Sequence, residues 1–429
     1  MAEIKPFRAL RFDTQAAGNI QELTCPPYDI ISEEQRAQYL KTNEHNVIRL
    51  ELPRGDNPYE EAGALLRRWE QQGILKQDQQ EGLYIYEEEF EAHGKRMRVK
   101  GVICRVKLEE FSKGVVLPHE ETLSKAKADR FQLMKATFCN FSQIYSLYMD
   151  PQHTTPNKID RLSQGKPEVE MQDSDGVTHR LWIVTDPQEI RNICSDFDER
   201  KLYIADGHHR YETALNFCDY CREQGMAKEG DAVDYVMMML VDMENSGLVV
   251  FPTHRLVRGL SSFDETAVKE ACREYFSVED KTDISTIERE LDSLYQQGKK
   301  AFAFYTGQDR WTLLVLKSME AVREWLPKAS AATQGLDVTV LHSLILEKIF
   351  GIDKENMAQQ INLTYTRDFQ EAVSSVQKGE SQCAFILNPT RVTEIRDVAA
   401  AGEKMPQKST YFYPKLITGL VMNQMERDQ

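Results

Sequence analysis
The stretch "KLYIADGHHRYETAL" (residues 201–215) joins two unlike patterns. Leu202 to Ala205 is a short apolar run of the kind that forms a buried strand. Tyr211, Ala214, Leu215 and Cys218 then recur at the spacing of one helix face, which predicts a helix from about Arg210 to Gln224. The junction holds Asp206, Gly207, His208, His209 and Arg210. Gly207 lets the backbone turn tightly or pass close to a ligand. The first N–H groups of a helix have no intrahelical partner and favour anions. His208, His209 and Arg210 add side-chain donors, and the planar arginine fork suits phosphate oxygens. Asp206 would orient a histidine or hold a magnesium ion beside the phosphates. The junction thus reads as an anion cradle. The plainer alternative is an Asp-Gly turn with exposed histidines.

Composition bounds what such a cradle could serve. The chain has 429 residues, enough for two or three domains, and 41% of them are apolar. No uninterrupted apolar run of about 18 residues occurs, which argues against a membrane span. The N-terminus "MAEIKPFRALRFD" lacks an apolar signal core, so nothing argues for export. Eight irregularly spaced cysteines read as reduced thiols, and the expected compartment is the cytoplasm. A net charge of −15 argues against DNA as a partner, since broad nucleic-acid binding needs a basic surface. A local basic pocket for a small nucleotide remains compatible with that balance.

Along the chain, helical and strand patterns mix throughout, as expected of an α+β protein of two or three lobes. "CPPYDII" (25–31) is a rigid turn, and Ser32 is placed to cap the helix that follows. Residues 58–72 have helical spacing through Ala62, Leu65, Leu66 and Trp69, with Gly73 as a stop. Residues 82–108 alternate on either side of Ala92-His93-Gly94-Lys95 and predict a hairpin. "DYVMMMLVDM" and "GLVVFPTHRLV" predict a second hairpin across Asn245-Ser246-Gly247. Beyond 258 the expected order is helix, helix, hairpin, helix, including "DETAVKEACREYF" and "VTVLHSLILEKIF".

Four further constellations carry chemistry. In "LPHEET" (117–122), Glu120 is a candidate general base and His119 a donor to phosphate or substrate. An acidic helix entrance explains these residues equally well. Lys125, Lys127 and Arg130 follow as a basic cluster. Asp29 of "PPYD" reads first as a helix cap and second as a substrate contact. His254 and Arg255 end a predicted strand, where ligand-facing residues often lie. In the tail "MPQKSTYFYPKL", Lys408 and Ser409 are candidate phosphate contacts, and the aromatics dock the tail. Cys218 and Cys221 could supply thiolates to zinc with the histidine pair, but a C-x-x-C on an amphipathic helix is more often core packing. No P-loop, G-x-G-x-x-G unit or G-x-S-x-G elbow occurs.

Together, "CPPYDIIS", "LPHEETL", "DGHHRYETAL", "FPTHRLV" and "MPQKSTYFYPKL" resemble a widespread family of conserved bacterial and archaeal proteins of unknown function, often labelled ParB-like. The "DGHHRY" segment resembles the phosphate box of the ParB/sulfiredoxin fold. It is closer to the Asp-Gly-His-His-Arg segment of free-serine kinases of that fold. The resemblance implies a ParB/sulfiredoxin-like core with an additional C-terminal α/β lobe. It divides the chain into an N-terminal part (1–110), the core (111–257) and the lobe (258–429). It implies that Asp206, Gly207, His208, His209 and Arg210 hold nucleotide phosphates, with Asp206 a magnesium ligand and Glu120 the catalytic base beside His119. The expected activity is ATP- or ADP-dependent transfer of phosphate to a hydroxyl of a small metabolite such as free serine. A ParB-like nucleotide-binding regulator is the alternative, and a nuclease ranks third. The sequence leaves the oligomeric state open, a homodimer included.

Overall fold
The alternating segment around residue 93 folds as the hairpin that its pattern predicts. In the computed structural model, which describes residues 1–120, 122 and 124–425 and only the backbone of 124–126, strand Leu83–Ala92 pairs antiparallel with strand Lys95–Lys107. His93 and Gly94 turn the chain at φ of +52° and +69°, the left-handed pair that a two-residue hairpin loop requires. Among the described residues these strands belong to a nine-stranded mixed sheet. Its order is Val116–Leu117, Leu202–Asp206, Ile144–Tyr148, Tyr235–Asp242, Lys95–Lys107, Leu83–Ala92, Thr178–Val184 and Val169–Gln172, with Ile4–Lys5 also paired to Lys95–Lys107.

The second predicted hairpin does not form. Tyr235–Asp242 runs parallel to Ile144–Tyr148 and antiparallel to Lys95–Lys107. His254–Val257 pairs in a different sheet, with Leu363–Thr366 and Cys383–Ile386. Asn245-Ser246-Gly247 forms the expected turn, closed by the Leu248 N–H on the Asn245 carbonyl at 3.1 Å, and Gly247 is pressed against Arg98. A Cβ there would stand 1.9 Å from the Arg98 carbonyl oxygen. Both edges of Tyr235–Asp242 are taken by Lys95–Lys107 and Ile144–Tyr148, which leaves none for a hairpin partner.

The chain separates into two units, one of Met1–Pro118, Thr122–Val249 and Pro414–Gln429, the other of His119–Glu121 and Val250–Tyr413. In the first, helix His208–Glu223 covers the sheet with Tyr211, Ala214, Phe217, Cys218 and Cys221, which join Val102, Ile144, Ile204 and Met238 in one core. Burying each such side chain stabilises the fold by roughly 1.5–3 kcal/mol. A second core gathers Leu66 and Trp69 of helix Pro58–Gln71 with Leu23, Val47, Ile48 and Leu50. Helix Ser124–Thr137 joins the two: Phe131 packs edge-on against Phe217 and Tyr220, and Leu133 enters the second core.

The second unit is built on a six-stranded antiparallel sheet ordered Phe276–Thr282, Arg310–Leu316, Ala301–Tyr305, Cys383–Ile386, His254–Val257 and Leu363–Thr366. Helical spacing was expected through Phe276. The helix stops instead at Cys272, and residues 276–282 pair along Arg310–Leu316 in full register. Segment "VTVLHSLILEKIF" is helical as expected, but from Leu341 to Glu347 it is a π-helix. The α+β class therefore holds. Among the described residues, no helix is long and apolar enough to cross a membrane.

Candidate functional site
Strand Leu202–Asp206 ends where Gly207 takes φ +100°, and helix His208–Glu223 starts on the next residue, two earlier than its spacing predicts. The first intrahelical bond is Tyr211 N–H to the Gly207 carbonyl. The amides of His208, His209 and Arg210 precede it and form the positive end of a 16-residue helix. Arg210 folds back over the turn, so that a Cβ on Gly207 would meet its Nε at 3.0 Å.

The guanidinium is held on three sides. One nitrogen donates to Asp206 Oδ2 at 2.8 Å, and the other to the Gln143 carbonyl at 2.6 Å and the Ser142 hydroxyl at 3.1 Å. Lys415 donates to the other Asp206 oxygen at 2.5 Å. Burial opposes ionisation of Asp206, but Lys415 and then Arg210 outweigh it and hold the carboxyl far below the usual carboxylate range. One anion thus anchors two cations at a helix N-terminus.

The network continues into a buried carboxylate. Ser142 donates its hydroxyl to Glu51 Oε1 at 3.2 Å. Glu51 is 3% exposed, and burial raises its pKa while Arg130, Arg210 and the Ser142 bond pull against that rise. Arg130 is itself buried. It bonds the Glu51 carbonyl at 2.7 Å and Asp129, and its guanidinium lies 4.1 Å from the centre of the Tyr28 ring. Asp29 is exposed in the 3₁₀ turn Tyr28–Ile30. It caps no helix: Ser32 does, in a capping box with Gln35. On the first turns of the 208–223 helix, Glu212 accepts from Thr122 at 2.7 Å and Lys127 at 2.6 Å. The Lys125 side chain lies outside the described residues.

Other expected site residues gather in the second unit. His119 is fully buried, with Nε2 3.0 Å from the Thr410 hydroxyl. Glu120 accepts from the Lys408 N–H at 3.1 Å. Lys408 is exposed at φ +57°, whereas Ser409 is buried and donates to the Pro406 carbonyl. Arg255 is 1% exposed and donates to His342 Nε2 at 3.1 Å, the Lys408 carbonyl at 3.2 Å and the Thr253 carbonyl. Burial lowers the Arg255 pKa to about 10. Burial and the Arg255 charge lower that of His254 to about 4. Neither His254 nitrogen has a hydrogen-bond partner among the described residues.

Asp206 does not suit a magnesium ion in this arrangement, because both its oxygens are engaged by cations. Among the described residues no group of three His, Cys, Asp or Glu side chains could hold a metal. Cys218 and Cys221 are buried in the core, and the Cys218 thiol donates to Asp234.

Sequence reasoning missed Lys415, Ser142 and Glu51. Lys415 lies in the same tail motif as Lys408, seven positions later. Glu51 carried a faint signal, being an acid inside the apolar run "VIRLEL". Ser142 carried none.

No curated protein matches the chain. Among solved structures, a conserved hypothetical protein from Pyrococcus furiosus is similar at 16% identity, with a TM-score of 0.34, covering 71% of this chain and 89% of that one. A mutant free serine kinase in complex with AMP is similar at 13% identity and a TM-score of 0.38, covering 76% and 92%. A mutant of a free serine kinase in complex with ADP gives 13% and 0.37, covering 73% and 89%. A family model, described as protein of unknown function DUF1015, matches residues 4–339. The chain belongs to the DUF1015 family.

Proposed function
We propose that this protein is a nucleotide-dependent kinase that transfers phosphate to a hydroxyl of a small metabolite such as free serine. On this reading the first unit contains a ParB/sulfiredoxin-like core, and Gly207, His208, His209 and Arg210 receive the phosphates of ATP or ADP. The observation that carries it is the pairing of Arg210 and Lys415 on Asp206 at a helix N-terminus. Two cations and a set of helix-start amides converge there in a chain of net charge −15.

Phosphoryl transfer mostly requires positioning and charge neutralisation, which such a cradle supplies. The acceptor oxygen forms a bond to the terminal phosphorus as the bond from that phosphorus to the bridging oxygen breaks. The bond's electrons leave with the nucleotide, so ATP becomes ADP, or ADP becomes AMP. The hydroxyl proton passes to a carboxylate. Glu120, beside His119, is the residue that the motif resemblance assigns. Glu51 is the carboxylate of the cradle's own network, and burial gives it the raised proton affinity that a base needs. Eight free thiols suit a reducing compartment such as the cytoplasm.

The test is phosphoserine formation from serine and ATP or ADP, with a thermal-shift assay of nucleotide binding alongside. The reading expects turnover, loss of the nucleotide shift in Arg210→Ala, and near-abolition of turnover with binding kept in Glu120→Gln or Glu51→Gln. Nucleotide binding without turnover on any of a panel of hydroxylated metabolites would overturn the kinase reading and favour a ParB-like regulator.

A further inference from the structure
The second unit contains a cavity of about 460 Å³, within the range of about 300–1,000 Å³ typical of small-molecule pockets. One wall is the π-helical segment Leu341–Glu347 and the turn before it, which present His342 and Thr339. π-Helical geometry is rare and concentrates at functional sites. Apolar surface comes from Leu326, Ala358 and Met357, and an aromatic ring from Tyr365.

Two polar groups in this wall have defined roles. Thr339 is 4% exposed, and its hydroxyl is buried with no hydrogen-bond partner among the described residues. Buried polar groups are normally paired, so an orphan at a cavity wall calls for a ligand. His342 receives the Arg255 Nε–H on Nε2. Arginine can only donate, so Nε2 is the acceptor nitrogen of the ring. Burial and the Arg255 charge keep that ring neutral, so its proton is on Nδ1. His342 therefore offers a donor whose tautomer is set from behind. The nearby Ser343 hydroxyl is already spent on the Thr339 carbonyl at 2.6 Å. The lining also carries Lys354 and Lys404 against Glu347 and Glu403, charges that cancel.

A neutral donor, a hydroxyl able to give or accept, and no net charge select an uncharged ligand with a hydrogen-bonding edge. A thioether and an aromatic ring favour a flat, aromatic body. We infer that this cavity binds an uncharged nitrogen heterocycle of nucleobase size, whose edge accepts from His342 Nδ1–H and bonds the Thr339 hydroxyl. The inference is independent of the kinase reading, since it uses no residue of the DGHHR segment.

The experiment is isothermal titration of the full chain with adenine, with AMP as the phosphate-bearing comparison. Adenine should bind with one-to-one stoichiometry. Its affinity should be unchanged in Arg210→Ala and should fall about tenfold or more in Thr339→Val, which keeps shape and removes one hydrogen bond to a buried group. Ala358→Phe, which fills the cavity, should abolish binding. AMP that binds through its base alone would follow the same pattern, whereas AMP lost only in Arg210→Ala reports the phosphate cradle. The inference is overturned by absence of adenine binding at millimolar concentration, by binding unaffected in Thr339→Val, or by binding lost in Arg210→Ala. If Ala358→Phe does not fold, the isosteric Thr339→Val decides.

Discussion

Ser142 and Glu51 are joined by a hydrogen bond of 3.2 Å, and the same serine hydroxyl receives Arg210 at 3.1 Å. One oxygen therefore couples a buried carboxylate to the cationic cradle. Burial raises the Glu51 pKa above its ordinary value of 4.5. Its contribution to stability is thus full below that value and is lost as pH rises through the folded pKa. Ser142→Ala removes an interaction that favours the charged form, so the loss should steepen. We expect a cost of about 1 kcal/mol near neutral pH, smaller at pH 4. Denaturant unfolding at both pH values checks this, and an equal cost at each would refute the coupling.

Asp206→Asn leaves Arg210 and Lys415 facing one another without their shared anion. Removing one partner of a fully buried ion pair costs about 3–5 kcal/mol, and because Asp206 is a fifth exposed the lower end of that range is expected. The sign with pH is opposite to that of Glu51. The depressed pKa means that the Asp206 contribution is full above its ordinary value of 3.8 and is lost progressively as pH falls from there through the much lower folded pKa. The difference between wild type and Asp206→Asn should therefore shrink in strong acid. Chemical denaturation from pH 7 downward would show it.

Gly207→Ala tests the turn itself. A side chain at φ +100° is strained, and its Cβ would lie 3.0 Å from the Arg210 guanidinium. A cost of about 1–2 kcal/mol is expected from the backbone alone, with loss of the nucleotide thermal shift because Arg210 must move. Gly165→Ala is the control, since nothing lies within 4 Å of its added Cβ. That control should change stability by less than about 0.5 kcal/mol.

Glu88 makes the first unit sensitive to pH without any part in the cradle. It is fully buried, and burial pushes its pKa up to about 7, against the pull of His179 and a 3.1 Å bond from the Tyr86 hydroxyl. A raised carboxyl stabilises below its ordinary value of 4.5 and loses that contribution as pH climbs through 7. The loss is about 3 kcal/mol over that window. Glu88→Gln, which mimics the protonated form, should remove most of this slope from the unfolding curve.

Local patterns were legible where local physics decides the outcome. The 83–107 hairpin followed from alternation and a His-Gly turn, and the 208–223 helix from its apolar stripe. The strand Phe276–Thr282 was hidden because "REYFSV" continues a helical spacing, and only its partners along Arg310–Leu316 select the extended form. The cradle was half legible. Asp206 to Arg210 are contiguous and announce themselves, whereas Lys415 and Glu51 reach the same network from opposite ends of the chain. No spacing rule relates residues that far apart.

The wiring of the first unit sets an order of arrival. Residues 250–413 intervene before the chain returns to that unit with Lys415 and the short strand Asn423–Gln424, which pairs with Cys139–Asn140. As the polypeptide leaves the ribosome, Asp206 and Arg210 are present long before their third partner. The charge balance of the cradle is completed only after the whole second unit has been synthesised. A product terminated before Lys415 would lack one of the two cations that bond Asp206 and leave Arg210 as the other.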